Sequence, residues 1–211
     1  MEIGVATKDI LNRAFEKDEI NGLYEIDSTL ITSFKLVSPL LSYPVWLYLL
    51  TSKMRNKKLY DTLINELEIT EDILKKRMFR LSSGELIKVL IIKSSLSHSS
   101  CILLNHIDAN LSFGELNRTL KCLRRNLKDI NKTIVFSSNN INNIVPTCTK
   151  YIVLDNADVD YAGNSIEMLP KKTEIMEFID MANDRKAKMS YYKDPSDLLK
   201  AIYRSVKKWI I

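Results

Sequence analysis

The chain has 211 residues, of which 45% are hydrophobic; this predicts a globular protein with a core and excludes an intrinsically disordered one. Its net charge is +5, and residues 185–211 carry eight basic against two acidic side chains, so phosphate groups are candidate ligands of this segment. The five glycines lie at least eighteen positions apart, which excludes both G-x-G-x-x-G and G-x-x-x-x-G-K-[ST], the glycine-rich loops that bind phosphate.

The first 80 residues predict strands followed by helices. A short helix is predicted over 9–15, and two strand-like runs over 20–26 and 29–37 are separated by the polar turn Asp27-Ser28. From 43 to 80 apolar residues recur at three- and four-residue spacing, which is the period of an amphipathic helix. The longest apolar stretch in this region is interrupted by serines and prolines, so it does not predict a transmembrane helix.

In the second half of the chain, strands alternate with helices. Ser82 and Glu85 have the spacing of a capping box, which predicts a helix over 85–96, and an amphipathic helix is predicted over 111–127. Three short apolar runs predict buried strands: 101–105, 133–137 and 151–154. Gly163 predicts a turn, and two further helices end the chain. This alternation predicts an α/β fold with a parallel sheet.

Four motifs follow one another between residues 81 and 163. They are a serine-glycine loop at a helix start, two strands that end in polar residues, and an apolar strand followed by a glycine: Leu81-Ser-Ser-Gly-Glu85, Cys101-Ile-Leu-Leu-Asn-His106, Lys132-Thr-Ile-Val-Phe-Ser-Ser-Asn139, and Tyr151-Ile-Val-Leu-Asp155 with Gly163. In order and spacing they resemble the nucleotide-binding subunits of ABC transporters, which have L-S-G-G-Q, L-L-D-E, K-T-I-I-x-x-T-H and a V-I-V-L…G hairpin. Lys88 and Lys93 lie where the family has the two arginines of an R-V-x-I-A-R helix.

The resemblance implies a role for the loop at residues 82–85. In the family two subunits pair head to tail, and the signature loop of one closes over ATP that the other holds. The residues in this position are Ser82, Ser83, Gly84 and Glu85, with Ser83 in place of a glycine. A serine hydroxyl and a glycine amide at a helix N-terminus suit a phosphate group. The alternative is that Ser82 and Glu85 only cap the helix.

The same resemblance implies that residues needed for ATP hydrolysis are replaced. Asn105 lies in the position of the Walker B aspartate that holds Mg²⁺, and His106 in that of the glutamate that acts as the base. Asn139 lies in the position of the H-loop histidine that senses the γ-phosphate, and Ser112 in that of the D-loop aspartate. A role for His106 as a substitute base is an alternative, because histidine titrates near neutral pH.

Upstream of residue 43 the resemblance rests on one hairpin. Residues 19–26 are similar to the family's S-G-E-I-x-x-x-G segment, which places Thr7, Lys8 and Asp9 in a degenerate Walker A loop. Thr7 then replaces a glycine, Lys8 takes the position of the phosphate lysine, and Asp9 puts an anion where a hydroxyl would ligate Mg²⁺. Lys8 as an ordinary surface lysine is the alternative. The expectation is that the chain begins at this loop and that its fold is N-terminally truncated.

The resemblance therefore implies a RecA-like P-loop ATPase-type fold with a parallel sheet and a small helical signature subdomain at about 40–90. We expect a degenerate ATPase-like domain over 1–170 and a basic helical tail over 171–211. Five independent losses imply that the chain does not hydrolyse ATP by itself: the Walker A loop counted once, Asn105, His106, Asn139 and Ser112. It would pair with an active ATPase subunit and a membrane permease in an export system, and ATP and Mg²⁺ would bind only at a site formed together with the partner.

Three isolated cysteines without C-x-x-C spacing fit a reducing compartment, so we expect a cytoplasmic protein at the cytoplasmic face of a membrane. The segment from Arg185 is expected to serve attachment, for example to an anionic membrane surface, rather than folding. Nucleic acid is the less favoured partner. Tyr43, Trp46 and Tyr48 are either core residues or border the groove that, in the family, receives the permease. Two other functions stay open: a divergent active ATPase, and a binding module that uses its basic tail.

Overall fold

The computed structural model describes residues 22–28, 42–128, 132–155, 158–164, 167–169, 172–185, 188–192 and 195–207. The helix predicted at 9–15, the strand predicted at 29–37 and the Walker A-like residues Thr7, Lys8 and Asp9 lie outside the described residues. The chain divides into two compact units, Met1–Asn139 and Asn140–Ile211, each of which has its own core. The domain boundary expected at residue 170 stays a prediction.

The first unit has a parallel sheet of three described strands. They are β1 (Leu23–Asp27), β2 (Cys101–Asn105) and β3 (Thr133–Ser137), in the spatial order β1-β2-β3. The central strand β2 buries its apolar run, as a strand covered on both faces does. The prediction of a fully buried strand at 133–137 is wrong, because β3 is half-buried throughout. Among the described strands β3 pairs on one side alone, with β2.

Five helices and two short 3-10 turns complete the described part of the first unit. In chain order they are α1 (Val45–Arg55), α2 (Lys57–Glu66), α3 (Glu71–Lys75), a 3-10 turn (Met78–Arg80), α4 (Ser83–Ser95), a 3-10 turn (Ile107–Ala109) and α5 (Phe113–Leu127). Side chains cap α2 to α5 at their N-termini, where backbone N–H groups lack helical partners.

Helix α4 lies at the centre of the core. It is apolar on most of its circumference, which is the pattern of a helix buried on several sides. Its buried side chains are Leu86, Ile87, Val89, Ile91 and Ile92. It contacts β1, α1, α2 and α5, so the N-terminus of α4 is held in a fixed position relative to the sheet. The helix and strands predicted between 82 and 137 are present close to their predicted bounds.

The second unit contains a hairpin and helices. The elements are α6 (Ile141–Ile144), β4 (Tyr151–Asp155), β5 (Asp158–Gly163), α7 (Glu174–Asp184) and α8 (Pro195–Lys207). The prediction from the strand–helix alternation that 151–154 is a third buried strand of the parallel sheet is wrong, because β4 pairs antiparallel with β5. The hairpin that the family resemblance implies for 151–155 and Gly163 is present, with Tyr151 paired to Gly163. Two residues separate these strands, whereas a parallel crossover needs a dozen or more. Gly163 is the last residue of β5 rather than the turn.

The segment beyond Arg185 also contributes to folding. Tyr191 packs against the core cluster around Met176, and its hydroxyl donates to Asp180. Lys172 Nζ donates to both of these side chains, at 2.9 Å to Asp180 Oδ2 and 3.1 Å to the Tyr191 oxygen. Leu198 on α8 is buried as well. The expectation that this segment serves attachment and not folding is therefore wrong for Tyr191 and Leu198.

Candidate functional site

Three polar residues lie side by side at the carboxyl ends of the parallel strands. The strand register aligns Asp27, Asn105 and Ser137. Asn105 Nδ2 donates to Asp27 Oδ2 at 3.0 Å, and the Ser137 hydroxyl donates to Asn105 Oδ1. Both polar atoms of the amide are therefore bound within the protein. Ligands of open α/β sheets bind at this edge, so the row of Asp27, Asn105 and Ser137, here called the edge row, marks the site.

The chemistry of the edge row differs from that of a Mg²⁺ site. Mg²⁺ needs oxygen ligands at about 2.0–2.1 Å in octahedral geometry, usually including carboxylates. Asn105 is neutral, and it turns its NH₂ group toward the one carboxylate of the row, that of Asp27. The residues at this position do not fit a Mg²⁺ ion held as the Walker B aspartate of ABC ATPases holds it.

Sequence reasoning missed Asp27. The pattern assigned it to a turn after a strand that ended at Ile26, whereas the strand extends to Asp27 and pairs in parallel with β2. The carboxyl ends of parallel strands meet at one edge, so a polar residue after each apolar run was the available signal. This signal was missed because residues 20–26 were expected to form a hairpin with residues 29–37, which assigned Asp27 to the turn.

His106 follows the edge row in a strained backbone conformation. Its φ of 51° lies in the left-handed region, which costs a residue other than glycine about 1–2 kcal/mol. Its N–H donates to the Ser137 carbonyl at 3.1 Å, and its carbonyl accepts from Ala109 at 3.1 Å. These bonds start the 3-10 turn that leads toward α5. Asn139, the H-loop position, is exposed beyond the end of β3.

The loop at residues 82–85 begins α4 and has the geometry of a complete capping box. Ser82 Oγ accepts from the Glu85 N–H at 3.1 Å, and Glu85 Oε2 accepts from the Ser82 N–H at 2.7 Å. Burial raises the pKa of Glu85, but hydrogen bonds from Lys76 and Ser82 outweigh it, so the pKa lies below its ordinary value. The prediction that Ser82 and Glu85 cap the helix is confirmed. Ser82 is exposed, so the same loop faces solvent.

Gly84 packs against the turn that follows the 3-10 segment. A Cβ at Gly84 would lie 3.2 Å from the Asn110 carbonyl oxygen and 3.4 Å from Leu111 Cδ2. The glycine therefore allows a close approach of the signature-like loop to the residues before α5. The loop thus contacts the two residues that precede Ser112, which caps α5 through its Oγ and Glu115.

The two lysines at the ends of the R-V-x-I-A-R-like segment tie α4 to its neighbours. Lys88 Nζ lies 2.9 Å from Glu115 Oε1 on α5 and is largely buried. The bonds from Lys88 and Ser112 lower the pKa of Glu115 to about 2. Lys93 Nζ donates to the Tyr48 carbonyl at 2.8 Å and to Thr51 Oγ1 at 2.7 Å on α1. Both cations are structural links.

Helix α1 presents an open groove of about 510 Å³ beside these links, lined by Tyr43, Leu47, Tyr48, Thr51 and Lys93. Tyr43 and Trp46 are half-exposed, so the core interpretation is wrong for both. Tyr48 packs against the core, and burial raises its pKa. Met54 and Leu50 extend the exposed apolar surface along the helix.

No protein-family model matches the sequence, and the comparison with curated proteins finds no match. Solved structures do match. CbiO1 from Clostridium perfringens, part of the ABC transporter complex CbiONQ, is 20% identical over 78% of this chain, with a TM-score of 0.55. A putative metal-chelate type ABC transporter in an inward-facing conformation is 17% identical over 76% of the chain and 68% of its own length, with a TM-score of 0.52. The fold is that of ABC transporter ATPase subunits.

A further match is the complex of the archaeal ribosomal stalk protein aP1 and the archaeal ribosome recycling factor aABCE1. It is 17% identical over 74% of this chain and 32% of that chain, with a TM-score of 0.54. The chain spans 63% of the length of CbiO1. The predicted α/β class with an ABC ATPase-type parallel sheet and helices is confirmed. No helix within the described ranges is long and apolar enough to cross a membrane.

Proposed function

We propose that this chain is a catalytically degenerate ABC ATPase-like subunit. It pairs with an active ATPase subunit and a membrane permease at the cytoplasmic face of a membrane, in an export system. It does not hydrolyse ATP by itself. It contributes Ser82, Ser83, Gly84 and Glu85 to an ATP site whose phosphate loop, Mg²⁺ ligand and base belong to the partner.

The observation that carries this proposal is the edge row, in which both polar side-chain atoms of Asn105 are hydrogen-bonded to neighbouring residues. ATP hydrolysis on this fold requires a Mg²⁺ ion that neutralises developing charge and a group that orients the attacking water. Asn105 has both polar atoms bound by Asp27 and Ser137, and its neighbour His106 has its backbone tied into a turn. Polar groups that are already hydrogen-bonded within the protein favour a structural role over a catalytic role for the residues at this edge.

The loop at residues 82–85 supports the second half of the proposal. It combines an exposed serine, a glycine and the N-terminus of a 13-residue helix, where backbone N–H groups and the helix dipole favour anions. The capping box keeps this end of α4 ordered without a nucleotide. A preformed loop of this kind is what a phosphate of a partner subunit would meet.

The groove on α1 supports an interaction with a permease. Tyr43, which lines the groove, and Trp46, on the same helical segment, are half-exposed aromatic side chains of the types enriched in the buried centres of protein interfaces. The groove lies on the helical segment that the sequence resemblance aligns with the permease-facing part of the family. CbiO1, with the same fold, is part of a transporter complex.

The experiment that tests the loss of hydrolysis is steady-state ATP turnover by the isolated full-length chain with Mg²⁺. We expect no turnover above background, because the Mg²⁺ ligand and the base are replaced. Turnover near the median enzyme rate of about 10 s⁻¹ that is lost in Lys8→Ala would contradict the proposal and favour a divergent active ATPase. Binding to DNA or RNA that weakens steeply with salt would favour the binding module.

A further inference from the structure

Two helices of the second unit each expose an apolar stripe. On α7, Phe178 is 45% and Met181 60% exposed, one helical turn apart. On α8, Leu199 is 66% and Tyr203 71% exposed, at i and i+4. Large apolar side chains that adjoin one another on a helix surface mark interaction sites more often than isolated ones do. Neither stripe is needed for the function proposed above.

The charges beside the two stripes have opposite signs. On α7 the exposed carboxylates of Glu174 and Glu177 flank Phe178. Within the described residues neither carboxylate has an ion-pair partner. On α8, Lys200 and Arg204 flank the apolar pair. Lys200 pairs with the exposed Asp197 of its own helix, a pair worth about 0–1 kcal/mol, and among the described residues it has no other ion-pair partner.

The two stripes also match in spacing. An α-helix rises 1.5 Å per residue, so Glu174 and Glu177 are about 4.5 Å apart along α7, and Lys200 and Arg204 about 6 Å apart along α8. Antiparallel packing then brings Arg204 opposite Glu174, and Lys200 opposite Glu177. The apolar pairs meet beside them. Antiparallel packing also sets the helix dipoles in opposite directions.

We propose that the chain forms a two-fold symmetric dimer in which α7 of each copy packs antiparallel on α8 of the other. A second copy of the chain complements both stripes, because its basic α8 can pack on the acidic α7 and its acidic α7 on the basic α8. An anionic membrane would suit α8 but would repel the carboxylates of α7. A two-fold axis makes the contact twice and closes the assembly, so the dimer does not grow into chains.

The test is sedimentation velocity on the full-length chain over about 1–100 µM, the range in which contacts of this kind associate. We expect a monomer–dimer equilibrium that weakens with salt. Lys200→Glu with Arg204→Glu should raise the dissociation constant more than tenfold, and Glu174→Lys with Glu177→Lys should do the same. All four changes together should restore it to within about threefold, because the charges are again complementary.

The control is the double change Lys57→Glu and Lys58→Glu on α2, which alters net charge equally at exposed positions of the first unit. It should leave the dissociation constant unchanged. Circular dichroism establishes that each variant is folded. A monomer at all concentrations, species larger than a dimer, or a dimer indifferent to the four changes would contradict the proposal. So would a monomer whose Lys200 and Arg204 instead bind anionic vesicles.

Discussion

At the end of β2 a single amide determines what the sheet edge can bind. Asn105 donates to one neighbour and accepts from the other, which no carboxylate at this position could do while ionised. An aspartate would face Asp27 with a like charge. The edge row is therefore adapted to Asn105, and the difference from ABC ATPases involves the neighbouring strand as well.

We predict that Asn105→Asp destabilises the protein in a pH-dependent way. Two adjacent carboxylates raise the pKa of one of them, and a rise of about two units corresponds to about 2.7 kcal/mol at pH 7. The folded variant then binds a proton more tightly than the unfolded chain. Its unfolding free energy relative to wild type is therefore highest near pH 4 and falls as pH rises. Urea denaturation at pH 4, 5.5 and 7 measures this.

The matched control exchanges the two side chains. Asp27→Asn combined with Asn105→Asp restores one carboxylate and one amide, so most of the loss at pH 7 should disappear. Asn105→Ala removes the amide without adding charge and should give a loss that depends less on pH than that of Asn105→Asp. If Asn105→Asp is as stable as wild type at pH 7, Asp27 and Asn105 are not in contact.

The sequence predicted contacts between residues that are close in the chain but missed contacts between residues that are far apart. Ser82 and Glu85 could be assigned as a cap because both partners lie within four positions of each other. The contact of Gly84 with Asn110 and the bond between Asp27 and Asn105 join residues that are far apart in sequence. Local spacing carries no information about such contacts without the three-dimensional register of the strands.

Among the elements, α4 and α5 are joined by one partly buried ion pair. Lys88 meets Glu115 at 2.9 Å, and Glu115 also completes the cap of Ser112. One carboxylate thus holds the start of α5 against the side of α4. Because α4 begins with the signature-like loop, this pair positions the loop relative to the turn at Asn110.

We predict that Glu115→Gln removes part of the decrease in stability that the wild-type protein shows as pH falls. The folded pKa of Glu115, about 2, lies below its ordinary value of 4.5. Its contribution is therefore complete above the unfolded pKa and is lost as pH falls from about 4.5 to 2. Since Glu115 is about one-third exposed, we expect a loss of about 1 kcal/mol at pH 7, measured by thermal melting at pH 2.5 and 7.

Glu71→Gln is the reference for this measurement, because Glu71 forms an ion pair with Lys75 that is exposed on both sides. It should leave stability unchanged at both pH values. An equal difference between wild type and Glu115→Gln at pH 2.5 and pH 7 would show that the carboxylate charge does not stabilise the link to Lys88.

Elements with a strong local pattern could be predicted, but apolar runs alone did not identify strand partners, and the hairpin at 151–163 followed only from the family resemblance. The helix α4 and the strand β2 follow from a capping box and from a short apolar run. The strand β4 has an apolar run of the same kind, yet it forms a hairpin. The run of side chains is similar in both strands, and the length of the connection decides the pairing.

For the whole molecule, the edge row and the loop at residues 82–85 differ in how their polar groups are used. Both polar side-chain atoms of Asn105 in the edge row are bound within the protein. At the start of α4, Ser82 is exposed to solvent, although its N–H and hydroxyl are bound by Glu85. This asymmetry favours a subunit that acts on a nucleotide held by a partner. The ABC ATPase fold could be predicted from the order of the motifs. The identity of the partner subunit could not, because a single sequence contains no pattern that specifies it.

The most direct test of that account is ATP hydrolysis by the complex that co-purifies with the tagged full-length chain, in wild type and in Ser82→Asp. Aspartate caps a helix as well as serine does, so this change keeps α4 intact but places an anion against the partner's phosphate. Gly84→Asp is less suitable, because its Cβ would press on the Asn110 carbonyl.

In this measurement Ser82→Asp should lower the turnover of the intact complex by about 10²–10³-fold, the usual effect of losing one oriented donor to a transition state. Lys8→Ala and His106→Ala should leave turnover within about twofold of wild type, with gel filtration showing equal complex formation. The contradicting result is unchanged turnover in Ser82→Asp together with its loss in Lys8→Ala or His106→Ala, which would place hydrolysis in this chain.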